Sequence, residues 1–129
     1  MQIHQSAEDY LETILMLSQR MGKVRSIDVV NELGFTKASV SIAMKKLREN
    51  GYIAVDGEGN LTLLEPGREI AERIYSRHRL LTHFFVQLGV DEQTAAEDAC
   101  KAEHILSEQT LEKIRESALR NDAAHPQAK

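Results

Sequence analysis

Cys100, Glu103 and His104 stand at i, i+3 and i+4 in the stretch Ala99-Cys100-Lys101-Ala102-Glu103-His104. That spacing puts three metal-ligating side chains on one face of a helix. Near the N-terminus, Asp9 and Glu12 repeat the device with two carboxylates, and His78 lies between the two groups in sequence, on a separate helix. Thiolate, imidazole and carboxylate together suit borderline divalent transition metals. Each group also has a plainer reading. Asp9 and Glu12 read as solvated residues of a first helical turn, where carboxylates offset the helix dipole. Cys100 reads as a small buried hydrophobe. A metal centre requires all six donors to converge, which the spacing permits without requiring.

The chain that must position them has 129 residues, enough for one domain or for two small units sharing a core. Two prolines, seven glycines and 5% aromatic residues predict a mainly helical protein. A single cysteine excludes an internal disulfide and fits a reducing, cytoplasmic compartment. No apolar run is long enough to span a membrane and no charged-then-apolar leader is present, so no membrane association is expected. The net charge of −4 stands against a nonspecific nucleic-acid binder, although a cation held among the acidic residues would neutralise part of it.

Helical periodicity runs from Ser6, a predicted N-cap, to about Gln19 through Tyr10, Leu11, Ile14, Leu15 and Leu17. Ser26 is expected to cap a short helix with Val29, Val30 and Leu33 inward, and Gly34 makes the turn that follows. Thr36 then caps a third helix to about Asn50, with Val40, Ala43, Met44 and Leu47 inward. Two helices joined by a short glycine-containing turn form a helix-turn-helix. Tyr52 to Val55 and Leu61 to Leu63, separated by Asp56-Gly57-Glu58-Gly59-Asn60, predict a hairpin wing directly after it. Pro66 suits the first position of a long helix to about Leu88. Asp91 is expected to cap a helix through His104 or Leu106, and Ser107-Glu108 to start a last one to about Leu119. The fold class is therefore mainly α: a winged helix-turn-helix domain over residues 1–65, an all-helical domain over 66–121, and a disordered tail over 122–129. The helical segment has too little mass for a roomy core of its own, and its surplus apolar surface is best explained by a homodimer interface, the alternative being that it packs on the winged domain.

On the third helix, Lys37, Ser39, Ser41, Lys45, Lys46 and Arg48 lie off the apolar stripe. Its N-terminal part suits the major groove, where short hydroxyl side chains permit close approach to bases. Lys45, Lys46 and Arg48, together with Lys23 and Arg25 ahead of the second helix, suit phosphate contacts. They also read as a solvated helix end whose cations offset the dipole. Asp56 and Glu58 make the wing tip acidic, which gives it no strong role on DNA.

With these pieces in order, the chain resembles the diphtheria toxin repressor family of metal-dependent regulators, in the short two-domain form of the manganese transport regulators. The resemblance runs from about Ser6 to Ser107. It is carried by Glu8-Asp9-Tyr10-Leu11-Glu12, the Thr36 to Leu47 helix, Arg77-His78-Arg79-Leu80-Leu81, Gly89-Val90-Asp91 and the stretch Asp98 to Ser107. It implies a cytoplasmic homodimeric repressor that binds palindromic operator DNA when loaded with Fe(II) or Mn(II) and so controls metal homeostasis. It also implies Asp9, Glu12, His78, Glu103 and His104 as manganese-type ligands. Cys100 stands where manganese-type members have glutamate and iron-type members cysteine, whereas Asp9 stands where iron-type members commonly have methionine. The set is a hybrid. It puts a two-ion cluster in question and opens the site to Zn(II) and Co(II) in vitro. Thr82 and Ala96 occupy positions expected to be ligands of a second, ancillary site, and His83 falls one residue off, as surface or core. The family's early recognition-helix proline is missing, and Ile42 occupies a usually polar place.

Two other functions are compatible with the residues. One is a winged-helix regulator that is metal-independent or senses an organic ligand, with the donors dispersed as surface charge. The other is a small metalloenzyme. Neither a His-Glu-x-x-His zinc signature nor a glycine-rich phosphate loop occurs, and all six donors look committed to coordination, so no enzyme activity and no small-molecule substrate are expected.

Overall fold

Leu11, Ile14 and Leu15 recur at helical spacing and are all buried, which sets the inner face of the first helix, α1 (Gln5–Met21). The computed structural model describes residues 5–124, which divide into two compact units, one reaching to Arg73 and one starting at Ile74. The first contains α1, α2 (Ser26–Leu33), α3 (Lys37–Glu49), β1 (Ile53–Val55), β2 (Leu61–Leu63) and the start of α4 (Glu65–Gln87). The second contains the rest of α4, α5 (Glu92–Ala102) and α6 (Glu108–Ala124). The architecture is mainly helical with a small two-stranded wing, as the periodicity predicts. Among the described residues, no helix is long and apolar enough to cross a membrane.

Local chemistry explains the helix-turn-helix. Gly34 ends α2 with φ of 73°, a left-handed conformation that glycine adopts without a Cβ penalty, and its N–H donates to the Val30 carbonyl at 2.8 Å. Two residues on, the Thr36 hydroxyl oxygen accepts from the Ser39 N–H at 3.1 Å and caps α3. Val40, Met44 and Leu47 then form the buried stripe of α3.

The wing pairs Ile53 with Leu63, Ala54 with Thr62 and Val55 with Leu61, antiparallel. Asp56 organises its turn: Oδ1 accepts from the N–H groups of Glu58 and Asn60, each at 2.9 Å, and Oδ2 accepts from Asn60 Nδ2 at 3.0 Å. These bonds to the charged form, led by the Asn60 N–H, hold the Asp56 carboxyl below the ordinary aspartate range. The Leu61 N–H donates to the Val24 carbonyl at 2.7 Å, and Arg25 bridges to Asn60, so the wing is tied to the chain just before α2. Behind it, the Leu64 N–H donates to the Tyr52 carbonyl at 2.9 Å, and α4 starts so close to that carbonyl that a Cβ on Gly67 would lie 2.2 Å from its oxygen. Only glycine fits there.

The second unit has a small apolar core of Leu81, Ala99 and Leu111, with Leu80, Phe85, Leu106 and Ile114 partly buried against it. Asp91 caps α5 by accepting from the Thr94 N–H at 3.1 Å, and Ser107 does the same for α6 through Thr110 at 3.1 Å.

Several local expectations are corrected. Ser6 lies inside the first turn of α1, which starts at Gln5, and does not cap it. Ser26 is the first residue of α2; the cap is Arg25, whose N–H donates to Asp28 Oδ2 at 2.9 Å. Glu65 precedes Pro66 in α4. α5 stops at Ala102, short of His104. α6 continues past Leu119 to Ala124, into the segment read as a tail, and residues 125–129 of that segment lie outside the described residues.

Candidate functional site

The second unit gathers four of the six donors. Glu103 follows the last residue of α5 and keeps helical backbone angles, its N–H donating to the Ala99 carbonyl at 2.9 Å. The i, i+3 relation of Cys100 and Glu103 that the sequence implies is thus retained although Glu103 lies one residue beyond the helix. Glu103 is 0% exposed. His78 Nδ1, on α4, lies 3.1 Å from its Oε2, and His104 Nε2, with a side chain 1% exposed, lies 3.5 Å from its Oε1. The Cys100 Sγ stands within 4.8 Å of a Glu103 carboxylate oxygen. Cys100 is exposed, so the reading of a small buried hydrophobe is not supported.

A carboxylate is costly to bury unless charge and hydrogen-bonding partners surround it. Two imidazoles and a thiol around one interior carboxylate form a mixed nitrogen, oxygen and sulfur donor set of the kind that borderline divalent metals take. The residues therefore fit a metal such as Fe(II), Mn(II), Co(II) or Zn(II).

In the first unit, Asp9 and Glu12 lie on α1. Asp9 is half-buried and Glu12 only 5% exposed, unlike a solvated first-turn carboxylate. Burial, followed by the nearby Asp9 charge, pushes the Tyr10 phenol above its ordinary range. Neighbouring Glu8 pairs with Arg73 at 3.3 Å.

All eight residues assigned to DNA are exposed: Lys37, Ser39, Ser41, Lys45, Lys46 and Arg48 on α3, and Lys23 and Arg25 before α2. Ile42, at the centre of the face opposite Val40, Met44 and Leu47, is 58% exposed. The Ser39 hydroxyl already accepts from the Thr36 hydroxyl at 2.9 Å, which leaves its own proton to donate. The positive charge of Lys23 acts on Asp56, and Arg25 lies against Gly59, so both cations flank the acidic wing turn.

Two features were not read from the sequence. Arg77 donates from Nη1 to the Glu103 carbonyl at 3.2 Å and pairs through Nη2 with Glu108. Its sequence signal is its place in the stretch Arg77-His78-Arg79-Leu80-Leu81, one residue before His78, which says nothing of its partners. His83 is exposed and meets Asp122 at 2.9 Å and Gln87 at 3.1 Å, remote in sequence from the donor motifs.

The family description "Iron dependent repressor, N-terminal DNA binding domain" matches residues 2–61, and "Iron dependent repressor, metal binding and dimerisation domain" matches residues 64–126. An uncharacterised helix-turn-helix transcriptional regulator of Methanocaldococcus jannaschii is 37% identical over 86% of this chain and 90% of its own length. The transcriptional regulator MntR of Bacillus subtilis is 34% identical over 84% of this chain and 77% of its own. A solved manganese-dependent transcriptional repressor in complex with manganese superposes with a TM-score of 0.79 at 29% identity, covering 87% of this chain and 52% of that one. The chain spans about half the length of that structure and of the solved manganese regulator SloR and metal-dependent transcriptional regulator MtsR, which it also matches.

Proposed function

Because the chain belongs to the iron-dependent repressor family, we propose that it is a homodimeric transcriptional repressor that binds palindromic operator DNA when loaded with Fe(II) or Mn(II). The observation that carries this reading is the interior carboxylate of Glu103, set between His78 and His104 inside the segment matched as a metal-binding domain. We assign His78, Cys100, Glu103 and His104 as ligands together with Asp9 and Glu12 of α1. The activity is regulatory and cytoplasmic, with no reaction catalysed.

A bound divalent cation supplies the positive charge that turns the mutual repulsion of these carboxylates and a Cys100 thiolate into attraction. Asp9 and Glu12 then fasten α1, hence the helix-turn-helix, to the unit that carries the other donors. In a two-fold dimer this biases the two copies of α3 toward the ~34 Å spacing of adjacent major grooves. Such coupling between ligand and DNA is typically about 1–3 kcal/mol. Lys37, Ser39 and Ser41 reach base edges near the N-terminus of α3, while Lys45, Lys46, Arg48, Lys23 and Arg25 neutralise phosphates. Leu88, Ile105 and Leu119, all exposed apolar side chains of the second unit, suit the dimer interface.

Cys100 bears on metal choice. An exposed thiol beside the carboxylate raises affinity for iron, cobalt and zinc more than for manganese, so Zn(II) and Co(II) bind tightly in vitro.

The test is selection of duplexes from a random pool by the purified protein, anaerobically, with Mn(II) or Fe(II) and with a chelator. A palindromic sequence enriched only with metal is expected, with affinity lost when Lys37, Ser39 and Ser41 are all changed to alanine. Equal enrichment under chelator supports the metal-independent regulator instead, and a single unrepeated half-site contradicts the dimer.

A further inference from the structure

We propose that Arg77 is a positioning residue for the metal centre, holding in place the turn that presents Glu103 and His104. The inference rests on the metal-binding reading above. Its basis is the way α5 ends. The last carbonyls of a helix have no partner within it, and helices commonly satisfy them with a left-handed glycine or asparagine just beyond the end. The sequence after Ala102 is Glu103-His104-Ile105-Leu106-Ser107, with neither. The Ile105 and Leu106 N–H groups both return to the single carbonyl of Ala102, at 3.1 and 3.3 Å. The Glu103 carbonyl is instead taken by Arg77 Nη1 at 3.2 Å, from α4.

The same guanidinium pairs through Nη2 with Glu108, the first residue of α6. One planar fork therefore grips both ends of the connection that carries two of the ligands. The Arg77 side chain is only 14% exposed, whereas that of Glu108 is 81% exposed. An ion pair with so exposed a partner contributes little to stability, so its effect is to orient the guanidinium and offset its charge near a cation site. Arg77 directly precedes His78, whose Nδ1 meets the Glu103 carboxylate. α4 thus fixes Glu103 twice, by backbone through Arg77 and by side chain through His78. A lysine offers a point charge without the fork and cannot hold two acceptors in the same way.

The test uses the full chain as a purified protein, with Co(II) as probe. Cobalt affinity is measured by competition with a chelating dye for wild type, Arg77→Lys and Arg77→Met. Amide hydrogen exchange over residues 103–107 and the visible Co(II) spectrum are recorded in parallel. Loss of such an outer-shell contact typically weakens metal binding by about 10–100-fold. Arg77→Met is expected in that range, and Arg77→Lys several-fold weaker than wild type. Both are expected to show faster exchange over 103–107 and a shifted cobalt spectrum. Affinity within twofold of wild type and an unchanged spectrum in Arg77→Met overturn the proposal while leaving the metal centre standing. If Arg77→Met fails to fold, Arg77→Lys decides on the same two readouts. A wild-type chain that binds no cobalt overturns the metal reading itself, and this inference with it.

Discussion

The two units both have apolar interiors, and each buries one carboxylate assigned to metal, Glu12 in the first and Glu103 in the second, but they differ in where the rest of their assigned residues lie. In the first, Leu11, Ile14, Val24, Val29 and Val40 are fully buried and apolar, and the residues assigned to DNA are exposed. In the second, the buried apolar side chains among the described residues are Ile74, Leu81, Ala95, Ala99, Leu111 and Ala118, and the residues assigned to metal include the interior Glu103 and His104. A DNA-reading surface is added to a fold that apolar burial already specifies. A metal centre is part of the interior it occupies, so changing it tests binding and packing together.

The largest expected effect follows from that contrast. Glu103→Ala and His104→Ala are each expected to abolish metal-dependent DNA binding and to lower cobalt affinity by more than about 100-fold, while circular dichroism and sedimentation still report a folded dimer. Wild-type metal affinity in either variant removes that residue from the site.

In the first unit, the most sensitive position is a glycine that carries no chemistry. Replacing glycine by alanine inside a helix ordinarily stabilises by about 1 kcal/mol. Gly67→Ala is expected to do the reverse, by about 1–3 kcal/mol in denaturant unfolding, because the new Cβ meets the Tyr52 carbonyl and the backbone must shift. A stabilised Gly67→Ala contradicts the close approach of α4 to the wing.

Cys100→Ser is expected to weaken Co(II) and Zn(II) binding about tenfold more than Mn(II) binding, since serine removes the soft donor. The wild-type Co(II) protein should show an intense near-ultraviolet thiolate charge-transfer band that Cys100→Ser lacks. A band that is missing in wild type, or survives in the variant, rules out Cys100 as a ligand.

The smallest effect is electrostatic and lies in the wing. Hydrogen bonds from Asn60 and Glu58 depress the folded-state Asp56 carboxyl relative to the unfolded chain. Its contribution is therefore present above the unfolded value of about 3.9 and is lost as pH falls through the lower folded value. Carbon-detected NMR titration should place Asp56 below free aspartate, and Asn60→Ala should move it upward. Titration of Asp56 at the ordinary aspartate value contradicts the turn described here.

How much of this was legible in sequence differs between the units for the same physical reason. Apolar periodicity and turn residues are local, so the helix-turn-helix, the Thr36 and Asp91 caps and the hairpin of the wing could be read directly, although β1 starts at Ile53 and not at Tyr52. Ser6 and Ser26 misled because a short polar residue near a helix start is compatible with several first-turn positions. That Cys100, Glu103 and His104 come together was legible by spacing, although the helix carrying Cys100 stops at Ala102. Arg77 was not, because its acceptor lies 26 residues away and nothing local requires it. Gly67 was hidden similarly, since the carbonyl it admits belongs to Tyr52.

The central claim is that the second unit's donors control what the first unit's surface does. The most direct measurement is fluorescence anisotropy of a labelled duplex selected by the metal-loaded protein, titrated with metal-free chain and then with Mn(II) or, anaerobically, Fe(II). Coupling of typically about 1–3 kcal/mol corresponds to roughly 5–150-fold tighter DNA binding with metal; reversal by chelator and no response in Glu103→Ala are expected alongside it. Equal affinity with and without metal, in a protein that demonstrably binds the ion, would contradict the account.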